Sequence, residues 1–143
     1  MADYAVTASQ VLLISGSPIY AVAGGAVTAG DPVYLDPATG KYLRADANGT
    51  ATVAGASGGG LALSTADADG SQLVVAGPGC VVNVGAGAAI IVGAVVVVSA
   101  TAGKLAPTAD ITTAGHFRTV VGIGGPTVNY LSIIWKYAGA AIA

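Results

Sequence analysis

The amino-acid sequence predicts an all-β protein: a small β-barrel or β-clip-like domain with an internal duplication, preceded by an extended N-terminal arm. Its composition, its glycine-separated apolar runs and a repeated unit support this fold class. All seven acidic residues are Asp, and Asp favours turns and caps whereas Glu favours helices. The chain also holds 22 Gly and 6 Pro among many Val, Thr and Ile, as expected for short strands joined by turns.

The first 20 residues are predicted to be the N-terminal arm, and residues 21–143 to be one β domain. A short apolar run at 11–14 lies between small polar residues and ends at Gly16-Ser17-Pro18. One interpretation is an edge strand of the domain, and the other is an arm that becomes ordered on a partner surface. The first ten residues, MADYAVTASQ, contain no basic residue, so the sequence predicts no Sec signal peptide.

The run AAIIVGAVVVVSATAGK (88–104) raises the possibility of a membrane span, because no charged residue lies between Asp69 and Lys104. A spanning helix needs roughly 20 apolar residues, so the length permits one. The stretch from Val81 to Ala100 nevertheless contains Asn83 and three glycines, its aliphatic residues are nearly all β-branched, and no aromatic or basic anchors lie at its ends. We therefore predict no membrane partner.

An internal repeat explains the run better. With an offset of 63 positions, AVTAGDPVYLDPATGK (26–41) aligns with AIIVGAVVVVSATAGK (89–104), and both copies end in Gly-Lys. The first copy contains two Asp and two Pro, so the unit is a soluble strand, a glycine turn and a second strand. The domain is accordingly predicted to consist of two repeats, at about 21–80 and 81–143.

The second repeat is the more apolar of the two. We hypothesise that its strand Val95–Val98 is covered on both faces, by the core and by a neighbouring subunit. In the C-terminal strand NYLSIIWKY, alternation places Trp135 and Tyr137 on one face and Ile134 and Lys136 on the other. The candidate subunit-interface residues are Val95, Val97, Trp135 and Tyr137.

Catalytic and metal-binding chemistry has few residues available. His116 is the single histidine and Cys80 the single cysteine, so neither an intrachain disulfide nor a histidine- or cysteine-rich metal site is predicted. The Asp-rich segments 46–49 and 67–70 resemble hairpin turns more than calcium loops, since they lack a distal bidentate carboxylate. We predict that the protein is not an enzyme and binds no cofactor. A small-ligand-binding β-barrel is a third class of function, but it would need convergent polar groups that this sequence hardly offers.

Charge composition points to protein partners. Charged residues make up 8% of the chain, against about 25% in a typical soluble domain, and the net charge is −2. So few charges give little protection against association, which favours a surface covered by partners and a homo-oligomer. The five Lys and Arg residues are dispersed, so a nucleic-acid partner is not predicted.

Three motifs resemble small head-decoration, or capsid cement, proteins of tailed phages. They are Val6-Thr7-Ala8 followed by Val11-Leu12, then AGDPVYLDPATGK (29–41), then SATAGKLAP (99–107). The resemblance spans most of the chain. It implies a structural virion protein on the outer surface of an icosahedral head, synthesised in the host bacterial cytoplasm.

The resemblance also implies partners. Such proteins commonly form trimers at three-fold or quasi-three-fold positions and stabilise the expanded shell. Their N-terminal arm contacts the major capsid protein, which here implies a capsid-binding arm of Tyr4, Val6, Thr7, Val11, Leu12, Leu13 and Ile14. The alternative function is a β-rich interaction or adhesion module of a tail fibre or surface layer.

Overall fold

Two antiparallel sheets, of six and five strands, make up most of the regular structure in the computed structural model, which describes residues 3–143. The predicted all-β class is confirmed. The strands are β1 (Leu12–Ser15), β2 (Ile19–Val22), β3 (Pro32–Leu35), β4 (Tyr42–Arg44), β5 (Gly59–Ala62), β6 (Gln72–Ala76), β7 (Val81–Asn83), β8 (Val95–Val98), β9 (Leu105–Pro107), β10 (Val120–Gly124) and β11 (Tyr130–Lys136). Short 3₁₀ helices lie at Ala8–Gln10, Ala86–Ala88 and Thr108–Asp110.

The strand order is β1-β7-β11-β10-β8-β9 in the six-stranded sheet and β2-β6-β5-β3-β4 in the five-stranded sheet. Within residues 3–143 neither sheet closes into a barrel, so the barrel form of the predicted fold is not found. The outer strands β2 and β4 approach each other only at a single parallel bridge between Ala23 and Tyr42. Because β4 is three residues long, it offers little backbone for a longer ladder.

Apart from β1, the two sheets have the same strand order. Strands β2, β6, β5, β3 and β4 occupy the places of β7, β11, β10, β8 and β9. The Gly-Lys turns also match: Asp36 N–H donates to Lys41 C=O at 2.9 Å, and Ser99 N–H donates to Lys104 C=O at 2.9 Å. Gly30 and Gly93 precede β3 and β8 with φ of +94° and +89°, a region that favours glycine.

The main hydrophobic core joins the two sheets. Val82, Val96 and Leu131 of the six-stranded sheet share it with Leu61 and Ala76 of the five-stranded sheet, and all are buried. A smaller core covers the other face of the five-stranded sheet, with Val27, Val33, Ala62, Leu73 and Val75 among its members. Burying one such aliphatic side chain contributes about 1.5–3 kcal/mol, so these two cores supply the main stabilisation of the fold.

The predicted N-terminal arm is packed on the rest of the chain. Strand β1 pairs with β7 at the edge of the six-stranded sheet, and β2 pairs with β6 at the edge of the five-stranded sheet. A separate arm over residues 1–20 is therefore not confirmed, and the edge-strand interpretation agrees with these pairings. Residues 1 and 2 of the predicted arm lie outside the described part of the chain.

The connector between β4 and β5 is bound to the second half of the chain. Ala47 N–H donates to Ser99 C=O at 2.9 Å, and Ala47 C=O accepts from Phe117 N–H at 2.9 Å. The hydroxyl of Thr119, which is buried, donates to Ala54 C=O at 2.6 Å. Small residues allow the connector to pack this closely, since Ala47 and Ala54 have no exposed surface.

In residues 3–143, no helix has both the length and the apolar character that crossing a membrane requires. The apolar run 88–104 instead contains a glycine turn and strand β8.

Two positions in β11 test the assignment of core and surface. Leu131 is fully buried, whereas Ile134 is 43% exposed. We expect Leu131→Ala to lower the free energy of unfolding by about 2–5 kcal/mol, because it leaves a cavity between the sheets. Ile134→Ala is the matched control and should cost less than about 1 kcal/mol. Urea unfolding followed by circular dichroism measures both, and equal losses would contradict the burial of Leu131.

Candidate interaction surface

Five exposed aliphatic side chains lie around one end of the six-stranded sheet. We call Ile91, Val92, Val95, Ile123 and Val128 the aliphatic patch; their exposed fractions run from 38% for Ile123 to 66% for Ile91. Val95 and Ile123 are direct cross-strand neighbours between β8 and β10. Clustered exposed aliphatic residues of this kind typically mark an interaction surface, whereas single ones are common on any protein.

The loop before β8 carries Ile91 and Val92 of the patch. It is fixed to the end of β10, because Gly93 N–H donates to Gly124 C=O and Gly124 N–H donates to Ala94 C=O, both at 2.8 Å. A Cβ atom at Gly124 would collide with the Ile91 carbonyl oxygen, so this close approach requires glycine. The loop therefore presents its two aliphatic side chains from a fixed backbone.

The loop after β10 carries Val128, and Asn129 joins it to the first loop. Asn129 N–H donates to Ile90 C=O at 2.7 Å, while Ile90 N–H donates to the Asn129 side-chain oxygen at 3.0 Å. Asn129 has φ of +67°, a conformation that asparagine tolerates better than most residues. These reciprocal bonds hold the two patch loops together.

The patch belongs to uncharged segments of the chain. No charged residue occurs between Asp69 and Lys104 or between Arg118 and Lys136, and these two intervals contain all five patch residues. A contact at the patch would therefore bury no charged side chain from these segments. Burying an unpaired charge away from water is the largest cost of covering a surface, and this contact would avoid it. Depletion of charge is also typical of the buried centre of protein interfaces.

The five-stranded sheet buries the positions that match the centre of the patch. Pro32 pairs with Leu61 between β3 and β5, in the same register as Val95 with Ile123 between β8 and β10. Leu61 has no exposed surface, and Pro32 is also buried. The exposure of Val95 and Ile123 is thus a specific difference between two sheets of equal strand order.

The predicted interface residues of β8 are placed differently from one another. Val95 is 41% exposed and lies in the aliphatic patch. Val97 is fully buried inside its own chain, so it offers no surface to a neighbouring subunit and the prediction does not fit this position. Val96 and Val98 are fully buried too, and the chain itself covers both faces of the strand beyond Val95.

Trp135 and Tyr137 contact their own chain. The Trp135 indole N–H donates to Gly55 C=O at 3.1 Å, and its ring packs so closely on Gly59 that a Cβ atom there would collide with it. Tyr137 stacks on Phe117 with ring centroids 5.9 Å apart. Both side chains are half-buried, while Ile134 and Lys136 are exposed, as the alternation predicts.

The predicted capsid-binding residues divide into two groups. Those packed against the main core are Tyr4, Val6, Val11 and Leu13. Tyr4 N–H donates to Leu105 C=O at 2.9 Å, and Thr7 N–H donates to Val84 C=O at 3.4 Å, so this segment lies against β9 and the end of β7. Leu12 and Ile14 are the exposed members, at 60% and 41%.

A cavity of about 210 Å³ lies where the N-terminal segment meets the turns at 28–31 and 103–105. Among the residues at this junction, Asp31 is buried and accepts a hydrogen bond from Arg44 Nε at 2.7 Å, which neutralises its charge. Asp3 accepts from the Ser99 hydroxyl at 2.6 Å. Burial raises the pKa of Tyr4 above its ordinary value, and the negative charge of Asp110 raises it further.

Sequence reasoning identified Val95 but missed the other four members of the patch. The repeat alignment contains the signal that would have found two of them: Thr28-Ala29 of the first copy aligns with Ile91-Val92 of the second. A pair of small residues before the glycine turn, one of them polar, is replaced by a pair of larger aliphatic residues. Ile123 and Val128 gave no such signal, because their exposure depends on which residues cover them.

Cys80 is a buried free thiol whose sulfur lies 3.4 Å from Ser17 C=O. His116 lies in a turn, where its backbone N–H donates to Thr113 C=O at 3.1 Å. Within residues 3–143, no group of three or more His, Cys, Asp or Glu side chains is arranged to hold a metal ion.

No protein-family model matches the chain, and comparisons with curated proteins and with solved structures find no similar protein.

Removing the N-terminal segment tests how strongly it is bound. Deletion of residues 2–14 removes three of the four residues of β1 and the partly buried side chains of Val6, Val11 and Leu13. We expect the free energy of unfolding to fall by about 2–4 kcal/mol, from the apolar area exposed again to water. The control is Leu12→Ser combined with Ile14→Ser, which alters exposed side chains alone and should leave the urea midpoint nearly unchanged. A deletion as stable as the full chain would contradict the packing.

The stability that Tyr4 contributes to the fold depends on pH. Because folding raises the pKa of its phenol above 10.0, the phenol stabilises the fold fully below pH 10 and loses this contribution as pH rises through the folded-state pKa. Between pH 8 and 11.5, we expect the urea midpoint of the wild-type protein to fall further than that of Tyr4→Phe. Parallel pH profiles for the two proteins would show that ionised Tyr4 is tolerated.

Proposed function

We propose that this chain is a capsid cement protein, a structural virion component without enzymatic activity. It binds the outer surface of an icosahedral phage head and stabilises the expanded shell. The observation that carries the proposal is the uncharged aliphatic patch, held by hydrogen-bonded loops on a rigid sheet. The resemblance of three motifs to phage head-decoration proteins supports the same function.

The proposed subunit contact centres on Val95 and Ile123. The two residues are direct cross-strand neighbours, and the exposed Ile91, Val92 and Val128 lie in the loops before β8 and after β10. A stable interface buries roughly 800 Å² on each partner, so the patch would form the apolar centre of a larger contact with a more polar rim. We favour a homotrimer, in which one patch meets a different surface of the next copy and the ring closes.

The proposed contact with the major capsid protein uses β1. Leu12 and Ile14 are exposed at the edge of the six-stranded sheet, whereas the neighbouring Val11 and Leu13 pack inward. An extended edge with exposed aliphatic residues is suited to binding through main-chain hydrogen bonds and side-chain contacts together. In this proposal the segment binds the shell while it stays packed on its own domain.

The proposed duplication of residues 21–80 and 81–143 accounts for the shared strand order. It is supported by the offset of 63 between Pro32 and Val95 at the starts of β3 and β8, and between Tyr42 and Leu105 at the starts of β4 and β9. Matching Gly-Lys turns add to this support. Two similar halves would let one half serve the subunit contact while the other half keeps the equivalent surface buried.

Binding to isolated heads tests the function. We expect the purified protein to bind expanded, undecorated heads saturably, at a fixed ratio to capsomers. Val95→Lys combined with Ile123→Lys places two charges at the centre of the patch, and we expect loss of the oligomer in sedimentation analysis with about tenfold weaker head binding. Ala38→Lys, on an exposed turn, is the control for added charge.

The outcomes separate the candidate functions. A protein that is monomeric and does not bind heads would overturn the cement proposal. An oligomer that depends on Val95 and Ile123 but ignores heads would favour the alternative, an interaction or adhesion module of a tail fibre or surface layer.

A further inference from the structure

Strand β2 leaves one edge of the five-stranded sheet without a partner strand among residues 3–143, whereas the matching edge of the other sheet is covered. In the shared strand order, β2 and β7 take the same place, each beside the longest strand of its sheet, β6 or β11. The outer edge of β7 carries β1, which pairs antiparallel through Leu12 with Asn83 and Leu13 with Val82. The chain thus shows what covers this kind of edge: four uncharged residues, LLIS, in an extended conformation.

The backbone of Tyr20 is directed to the open side of β2. Ala23 N–H donates to Ser71 C=O at 2.9 Å, on the β6 side. Because N–H and C=O groups alternate in direction along a strand, those of Ala21 also point to β6 and those of Tyr20 point away from it. The bridge between Ala23 and Tyr42 limits this open edge at its far end, which leaves Ile19 to Ala21 for pairing.

A groove lies over the β2–β6 ladder, next to the strand that forms this edge. Its volume is about 320 Å³, and Tyr20 and Val22 line it opposite their cross-strand partners Val74 and Gln72. Tyr20 is the most exposed of the large hydrophobic residues described, at 81%. None of the residues that line the groove is charged, so an apolar side chain could enter it without stripping water from a charge.

We propose that β2 binds an extended, uncharged segment of a partner chain with apolar residues at alternate positions. The segment adds antiparallel to β2 as β1 adds to β7, pairs with the Tyr20 backbone and packs an apolar side chain against Tyr20 at the rim of the groove. This site is separate from the aliphatic patch and does not depend on the proposed binding to phage heads.

A peptide supplies the probe. The segment SQVLLISGS, residues 9–17, contains the four residues that this chain itself uses at the matching edge. With the peptide labelled for fluorescence anisotropy, we expect saturable binding to the full-length protein. Tyr20→Pro removes the outward N–H while keeping the bonds to β6, and proline is accepted on such an edge. We expect it to weaken binding at least about tenfold, whereas Tyr20→Ala, which keeps the N–H, should weaken it less than about threefold.

Hydrogen exchange keeps the proposal testable if Tyr20→Pro does not fold. In the wild-type protein, saturating peptide should slow exchange of the Tyr20 amide, while the Val128 amide in the aliphatic patch should be unaffected. Absence of binding at millimolar peptide, binding that Tyr20→Pro leaves unchanged, or unchanged exchange at Tyr20 would each overturn the proposal. Failure to bind heads would not affect it, since no head is present in this experiment.

Discussion

The structure depends on one constraint: two sheets with apolar faces must be covered by a chain that is 54% hydrophobic and 8% charged. The main core covers the faces that meet, and the smaller core covers the other face of the five-stranded sheet. The Trp135 ring fills the space over Gly59, where no Cβ would fit. Among residues 3–143, large hydrophobic side chains stay exposed at the aliphatic patch, on β1 and at the edge of β2, and these are the three places at which we propose partners.

The carbonyl groups at the starts of β4 and β9 are each bonded by an earlier segment of the chain, and for β9 this is the N-terminal segment. In the five-stranded sheet, Gly24 N–H donates to Tyr42 C=O at 2.8 Å; in the six-stranded sheet, Tyr4 N–H donates to Leu105 C=O at 2.9 Å. Tyr42 and Leu105 begin strands at matching places, so Tyr4 makes for the six-stranded sheet the bond that Gly24 makes for the five-stranded sheet. A segment used in this way is part of the domain, even though its sequence resembles a free arm.

Local patterns in the sequence predicted the features that depend on near neighbours. The all-β class and the Gly-Lys turns follow from residue preferences. Burial alternates from Ile134 to Tyr137 as predicted, although the β10–β11 register shifts there and Trp135 has φ of +47°. The exposure of Val95 beside a buried Val97 does not follow from such alternation, because both residues lie on the same face and only one is covered by a distant segment. Local sequence patterns also could not predict whether the sheet closes into a barrel, since closure depends on whether the outer strands β2 and β4 pair over their length.

The connector between β4 and β5 couples the two sheets. Ala47 is hydrogen-bonded to Ser99 and to Phe117, and the Thr119 hydroxyl donates to Ala54 C=O. A segment that joins two strands of the five-stranded sheet is thus bonded to residues that follow β8 and precede β10 of the six-stranded sheet. Opening either sheet at this place would break these bonds and expose the buried Ala47 and Ala54, so the connector favours cooperative unfolding of the two sheets. We therefore expect a mechanical load on one sheet to be transmitted to the other through the connector, without a hinge between them.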